Sequence, residues 1–119
     1  MDSYDVIFYE MQNGRQPAKE FILNLDPKMR VKMLRTIEMI GRNGPALREP
    51  YSKSLEDGIF ELRAKSGSDI SRVLYFFYVG KTIVLTNGFV KKSQKTPGSE
   101  KALAKKYRAD FLSRKGVKL

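Results

Sequence analysis

The sequence predicts an α+β fold in which an antiparallel sheet packs against two N-terminal helices and a C-terminal helix. Its 119 residues suit one domain, residues 1–119, that buries a single modest core. Three strand-like runs lie close together between Ile59 and Phe89, and short turn signals join them. Helix-start signals stand on either side of these runs. The predicted order is therefore β-α-α-β-β-β-α, with the helices covering one face of the sheet.

The N-terminal half is expected to hold one strand and two helices. Residues 4–9 are rich in β-branched and aromatic side chains, which favour a strand. A short helix begins at Pro17. A second helix begins at Asp26-Pro27, where an aspartate N-cap precedes a proline at the first helical position, and it ends before Gly44. Apolar side chains at helical spacing predict its buried stripe: Met33, Leu34, Ile37 and Ile40.

The C-terminal half is expected to hold three strands and one helix. The strands lie at about 59–65, 70–79 and 81–89, and residues 45–57 are irregular. Short turns require neighbouring strands to be antiparallel. Thr96-Pro97 predicts the start of a helix over residues 98–114. In this helix Leu103, Tyr107 and Phe111 share one side, and three basic residues are expected to point away from it: Lys101, Lys105 and Arg108.

The chain is strongly basic, with a formal net charge of +10, and the excess is uneven. Residues 91–119 carry ten Lys or Arg and two acids, a net charge of +8. Such a segment indicates a nucleic-acid or acidic protein partner, although a solvated surface is the alternative. The absence of His and Cys excludes the usual zinc sites and Cys–His catalysis. Without Cys or an apolar N-terminal segment, we expect a cytoplasmic protein with no membrane partner.

Two arginines are expected to face each other across the first hairpin. If Gly67 and Ser68 form the turn, Arg63 lies opposite Arg72. Like charges in that position are destabilising unless an anion or a carboxylate bridges them. Guanidinium groups match phosphate oxygens, which favours a phosphate ligand, whereas Glu61 on the same face is the alternative internal bridge. Alanine at either arginine should then abolish activity with little effect on thermal stability.

Other basic residues can reach the same surface. Lys91, Lys92 and Lys95 follow the last strand, and Tyr51 and Lys53 precede the first hairpin strand. Each also has a plain interpretation as part of a polar loop. With Lys101, Lys105 and Arg108 of the last helix, they form the predicted substrate-binding and docking set.

Two segments resemble a known toxin family. PYSKSLEDGIFELRAKSGSDISRVLYFF followed by NGFVKKSQKTP is similar to the HigB toxins of the phage Gp49-like branch of the RelE/ParE superfamily. The resemblance extends to the VIFYE opening and to the basic helix that ends near DFLSRKG.

The resemblance implies a RelE-like fold and a type II toxin–antitoxin system. Such a toxin is an endoribonuclease that cleaves messenger RNA, usually on the ribosome, through attack of the 2′-hydroxyl and without a metal or cofactor. Its partners would be a cognate helix-turn-helix antitoxin, the ribosome and mRNA, and operator DNA through the antitoxin complex. The implied catalytic residues are Arg63, Arg72, Lys91 and Lys92.

One position departs from the family pattern. Close relatives often have His before the GF of GFVKK, and here that residue is Asn87. A His-based acid–base mechanism is therefore excluded, so lysines or groups of the substrate and ribosome would have to move protons. Two rival functions remain open: a ParE-like toxin that acts on gyrase, and a non-catalytic nucleic-acid-binding regulator.

Overall fold

The structure, a computed structural model, describes residues 3–91 and 95–115, apart from the Lys91 side chain. It confirms the α+β class, with a five-stranded sheet and three α-helices. The elements in chain order are β1 (Asp5–Phe8), α1 (Pro17–Leu23), α2 (Pro27–Asn43), β2 (Ser52–Glu56), β3 (Ile59–Ser66), β4 (Asp69–Tyr78), β5 (Thr82–Lys91) and α3 (Gly98–Arg114). Within these described residues, no helix combines the length and the apolar character needed to cross a bilayer.

The sheet is mixed, which corrects the expectation of a wholly antiparallel one. Its strand order is β1-β5-β4-β3-β2, and β1 lies parallel to β5, from Asp5 opposite Thr82 to Phe8 opposite Leu85. The other three pairings are antiparallel, as the short turns require. Strand β2 was not predicted from the sequence. Because β2 is an edge strand, its residues are mostly exposed and polar. It therefore lacks the apolar run that predicts a strand.

Helices cover both faces of the sheet, whereas the sequence analysis expected one covered face. Side chains alternate along β4, so Val73 and Tyr75 pack in the cluster with α1 and α2. Leu74 and Phe76 point the other way and pack with Phe111 of α3. A nearly continuous apolar strand is typical of a sheet buried on both faces. The apolar sequence of β4 therefore already indicated that helices cover both faces.

The start of α2 is as predicted, but its buried stripe is shifted. Asp26 Oδ1 accepts hydrogen bonds from the backbone N–H groups of Lys28 and Met29, each at 3.1 Å. Leu34 was predicted to be buried and is 47% exposed. The helix instead buries Met29, Met33, Thr36 and Ile40, which recur at intervals of three and four residues.

Candidate functional site

The β3–β4 hairpin has the predicted register. Arg63 lies opposite Arg72, and Ser66 opposite Asp69, so Gly67 and Ser68 form the turn. Gly67 has a φ of +62°, a conformation that favours glycine. The two arginines therefore stand side by side on the face of the sheet that α3 covers.

A buried carboxylate lies between the two arginines. Glu61 Oε2 accepts a hydrogen bond from Arg63 Nε at 2.8 Å, and Glu61 Oε1 lies 3.8 Å from Arg72 Nε. Glu61 Oε1 also accepts a hydrogen bond of 2.5 Å from Thr96 Oγ1. We call Glu61, Arg63, Arg72 and Thr96 the Arg–Glu cluster. Its geometry bears out the alternative in which Glu61 is an internal bridge.

The members of the Arg–Glu cluster differ in their access to solvent. Glu61 and Arg72 are 0% exposed, whereas the Arg63 side chain is 13% exposed. Burial lowers the pKa of Arg72 from its ordinary value; the charge of Arg63 acts in the same direction, and that of Glu61 opposes it. Arginine nevertheless stays protonated in proteins. Arg63 is therefore the member of the pair whose surface a ligand can reach directly, and Arg72 acts through its charge.

A cavity of about 190 Å³ borders this cluster and brings three predicted lysines together. The β2–β3 register places Lys53 opposite Glu61, on the strand next to the cluster. Lys53, Lys95 and Lys101 line the cavity, and Thr96 is shared with the Arg–Glu cluster. We call this cavity the lysine groove. Its lysines suit a polyanion that meets the Arg–Glu cluster at Thr96.

Three basic residues of α3 form ion pairs with acidic residues at the end of β2 and in the turn that follows it. Lys101 and Lys105 donate hydrogen bonds of 2.8 and 2.6 Å to the Glu56 carboxylate at the end of β2. These bonds lower the pKa of Glu56 to about 2. Arg108 Nη2 lies 3.0 Å from Asp57 Oδ2 in the adjoining turn. The three cations thus anchor α3 to the β2–β3 turn, and their predicted role in substrate binding stays a prediction.

Of the remaining predicted site residues, Tyr51 reaches the cluster at Arg63. The two line a different groove, beside α2, and the Arg63 backbone N–H donates to the Tyr51 carbonyl oxygen at 2.9 Å. Lys91 ends β5 opposite Ile70, but its side chain lies outside the described residues, and so does Lys92. Their predicted catalytic roles stay predictions.

Asn87, which stands at the expected His position, has a structural role. It is 3% exposed, and its Nδ2 donates to the backbone O and to Oε1 of Glu100, at 3.3 and 3.1 Å. These bonds tie β5 to the first turn of α3. A side-chain amide does not ionise near neutral pH, so Asn87 cannot act as the acid or base that a His would be, and it makes a structural contact instead.

Sequence reasoning missed Thr96 as a member of the cluster. The last helix does begin after Thr96-Pro97 as predicted, with Pro97 as its N-cap, but the Thr96 hydroxyl donates to Glu61 and does not cap the helix. The two residues are 35 positions apart, so no local pattern could have paired them.

The fold and the site define a small basic α+β protein with a buried Arg–Glu cluster beside a lysine groove. Residues 20–109 match the model of a family described as phage-derived protein Gp49-like (DUF891). The match covers more than half of the chain, including β2–β5 and most of α3, so the chain belongs to this family. The family is associated with the toxins of type II toxin–antitoxin systems, and it implies an antitoxin partner. A search of the curated proteins found no match.

Proposed function

We propose that this protein is a HigB-type toxin with a RelE-like fold, a metal-independent endoribonuclease that cleaves mRNA on the ribosome. The observation that carries the proposal is the Arg–Glu cluster beside the lysine groove, in a chain of a toxin-related family. Cations on one face, with one arginine partly exposed, suit a ligand that carries a row of phosphates.

The proposed reaction is an internal transesterification of RNA. The 2′-oxygen of one nucleotide attacks the adjacent phosphorus, so a P–O2′ bond forms and the P–O5′ bond breaks. The 2′-hydroxyl loses its proton and the departing 5′-oxygen gains one, which leaves a cyclic phosphate and a free 5′-hydroxyl. Charge accumulates on the non-bridging oxygens in the transition state. A preorganised cation there contributes roughly 3–4 kcal/mol, or about 10²–10³ in rate.

We assign the contact with the scissile phosphate to Arg63, because its side chain keeps exposed surface. Arg72 is a positioning residue in this scheme. It is wholly buried, holds Glu61 in place and raises the positive potential beneath the phosphate. Lys53, Lys95 and Lys101 would contact the neighbouring phosphates along the lysine groove.

The proton transfers are assigned by proposal to lysines near the end of β5, Lys91, Lys92 or Lys95, or to groups of the substrate and ribosome.

The test is to add the protein to translating ribosomes and to identify new RNA 5′ ends. Cleavage should give 5′-hydroxyl ends, should persist in a chelator, and should fall by about 10²–10³ in Arg63→Ala. Lys19→Ala is the matched control, because Lys19 is exposed on α1 and lines neither the cluster nor the lysine groove. Full cleavage by Arg63→Ala, or 5′-phosphate ends, would refute the assignment.

A second candidate is a non-catalytic nucleic-acid-binding protein. The complete burial of Glu61 and Arg72 favours it, since an internally neutralised cluster can be purely structural. In that case the protein would bind ribosomal RNA or mRNA in the same assay and would generate no new 5′ ends.

A further inference from the structure

A second, larger groove lies between α2 and the β3–β4 hairpin, and Arg63 is the only one of its described lining residues that belongs to the Arg–Glu cluster. Its volume is about 440 Å³. It shares no lining residue with the lysine groove. We call it the α2 groove. The residues that line it are Lys32, Arg35, Thr36, Met39, Pro50, Tyr51, Arg63, Ala64, Lys65 and Ile70.

The α2 groove combines an apolar floor with cations and has no acidic residue in its described lining. Met39, Pro50, Ala64 and Ile70 supply apolar surface, and the ring of Tyr51 is 43% exposed beside them. Lys32, Arg35 and Lys65 supply the positive charge. Lys32 Nζ also donates to the Lys65 carbonyl oxygen at 3.1 Å, which links α2 to β3 across the groove.

The mixture of apolar surface and cations in the α2 groove suits one of two classes of anionic ligand, RNA or an acidic peptide, better than the other. A single-stranded RNA needs a row of cations for its phosphates and a series of aromatic rings on which successive bases stack. Among the described lining residues only Tyr51 offers such a ring, and the rest of the apolar surface is not aromatic. A peptide segment that carries both apolar side chains and carboxylates leaves neither part unmatched, and amphipathic segments bind in such apolar grooves.

We infer that the α2 groove is a docking site for an acidic amphipathic segment of a protein partner. Apolar side chains of the segment would fill the floor formed by Met39, Pro50 and Ile70, and its carboxylates would pair with Lys32, Arg35 and Lys65. Because it depends on the groove alone, the inference stands whether or not the protein cleaves RNA.

The test uses the full chain and three fluorescein-labelled probes in an anisotropy titration. The first is a short peptide of glutamate with leucine at helical spacing, and the second has glycine in place of every leucine. The third is a short oligouridine. At about 100 mM salt, the leucine peptide should bind about tenfold more tightly than the glycine peptide, because only leucine fills the apolar floor.

Charge-reversal variants locate the binding site. Arg35→Glu should weaken binding of the leucine peptide by about fivefold to tenfold, because a favourable charge becomes a repulsive one. Lys19→Glu makes the same change on α1, away from the groove, and should alter binding by less than about twofold. Arg35 and Lys19 are both exposed, so both variants should fold, which the far-UV circular dichroism spectrum checks.

Three outcomes would overturn the inference. Equal affinity for the leucine and glycine peptides would show that charge alone drives binding. Equal weakening by Arg35→Glu and Lys19→Glu would show that the peptide does not sit in this groove. Displacement of the peptide by oligouridine, with oligouridine binding also weakened by Arg35→Glu, would make the groove an RNA surface.

Discussion

Replacing Glu61 by glutamine should destabilise the protein strongly, although the side chain keeps almost the same size. Glu61 is 0% exposed and lies between Arg63 and the buried Arg72. Glutamine retains one oxygen acceptor but carries no charge. The variant therefore leaves a buried guanidinium beside a second cation without the carboxylate that offsets their charges.

The expected loss of stability in Glu61→Gln follows from the complete burial of Glu61 and Arg72. Removing one partner of a buried ion pair costs about 3–5 kcal/mol, because the other charge is left uncompensated. The amide oxygen of glutamine keeps one hydrogen bond, which offsets about 1 kcal/mol of that loss. We therefore expect the free energy of unfolding to fall by about 2–4 kcal/mol. For a domain of this size that corresponds to a decrease of roughly 10 °C in the melting temperature.

Urea unfolding at neutral pH, followed by circular dichroism, measures the effect. Glu56→Gln is the matched control, because Glu56 also pairs with two cations but is 45% exposed, so its replacement should cost little. In the double variant Glu61→Gln/Arg72→Met the loss should be smaller than the sum of the two single losses, since both charges leave together. Equal losses for Glu61→Gln and Glu56→Gln, or additive losses in the double variant, would refute the reasoning.

Three further predictions concern packing, titration and RNA binding. Gly88→Ala should destabilise the protein by about 1–3 kcal/mol in the same unfolding assay, because a Cβ there would lie 2.3 Å from the Phe21 ring. Burial, and then the hydrogen bond to Asp110, raise the pKa of Tyr9 from 10.0 to about 12. The stabilisation from protonated Tyr9 should therefore be complete below pH 10 and disappear as the pH rises through 12, and in an ultraviolet titration Tyr9→Phe should remove a tyrosine that ionises near pH 12. RNA affinity should fall steeply with salt, and Lys53→Gln should make the logarithmic slope less steep by roughly 0.7, because one phosphate contact is lost; an unchanged slope would exclude Lys53 from the RNA contacts.

The predictable parts of the fold depend on local signals. The register of Arg63 opposite Arg72 follows from a two-residue turn and the period of a strand, both of which are encoded within a few residues. The parallel pairing of β1 with β5 joins segments at opposite ends of the chain, and no local pattern specifies it. The edge strand β2 was not predicted from the sequence for a different reason. Its polar side chains face solvent and leave no alternation of apolar and polar residues.

The same distinction applies to the candidate site. Glu61 could be named as the alternative to a phosphate bridge because a spacing of two residues places it beside Arg63 on one face. Lys101 and Lys105 were predicted to lie away from the apolar side of the last helix and to bind substrate, and their pairing with Glu56, 45 and 49 positions away in the chain, was not foreseen. The complete burial of Arg72 also changes the expectation for Arg72→Ala, which should now reduce stability as well as activity.

The pairing of the α3 cations changes what the net charge of +10 implies. Charge counted along the sequence favours α3 as the docking surface, but Lys101, Lys105 and Arg108 have carboxylate partners on the β2–β3 turn. Their field is therefore reduced at a distance, so Lys53 and Lys95 of the lysine groove, and the cations of the α2 groove, become the stronger candidates for binding anionic partners.

Arg63 connects these two grooves, because it belongs to the Arg–Glu cluster and also lines the α2 groove. A carboxylate bound in the α2 groove would lower the potential at Arg63 without entering the lysine groove. Acidic peptide and RNA should then weaken each other's binding by the same factor, as linkage requires. Because the two ligands would occupy separate grooves, saturating peptide should reduce the RNA affinity to a finite limit, whereas direct competition would abolish RNA binding.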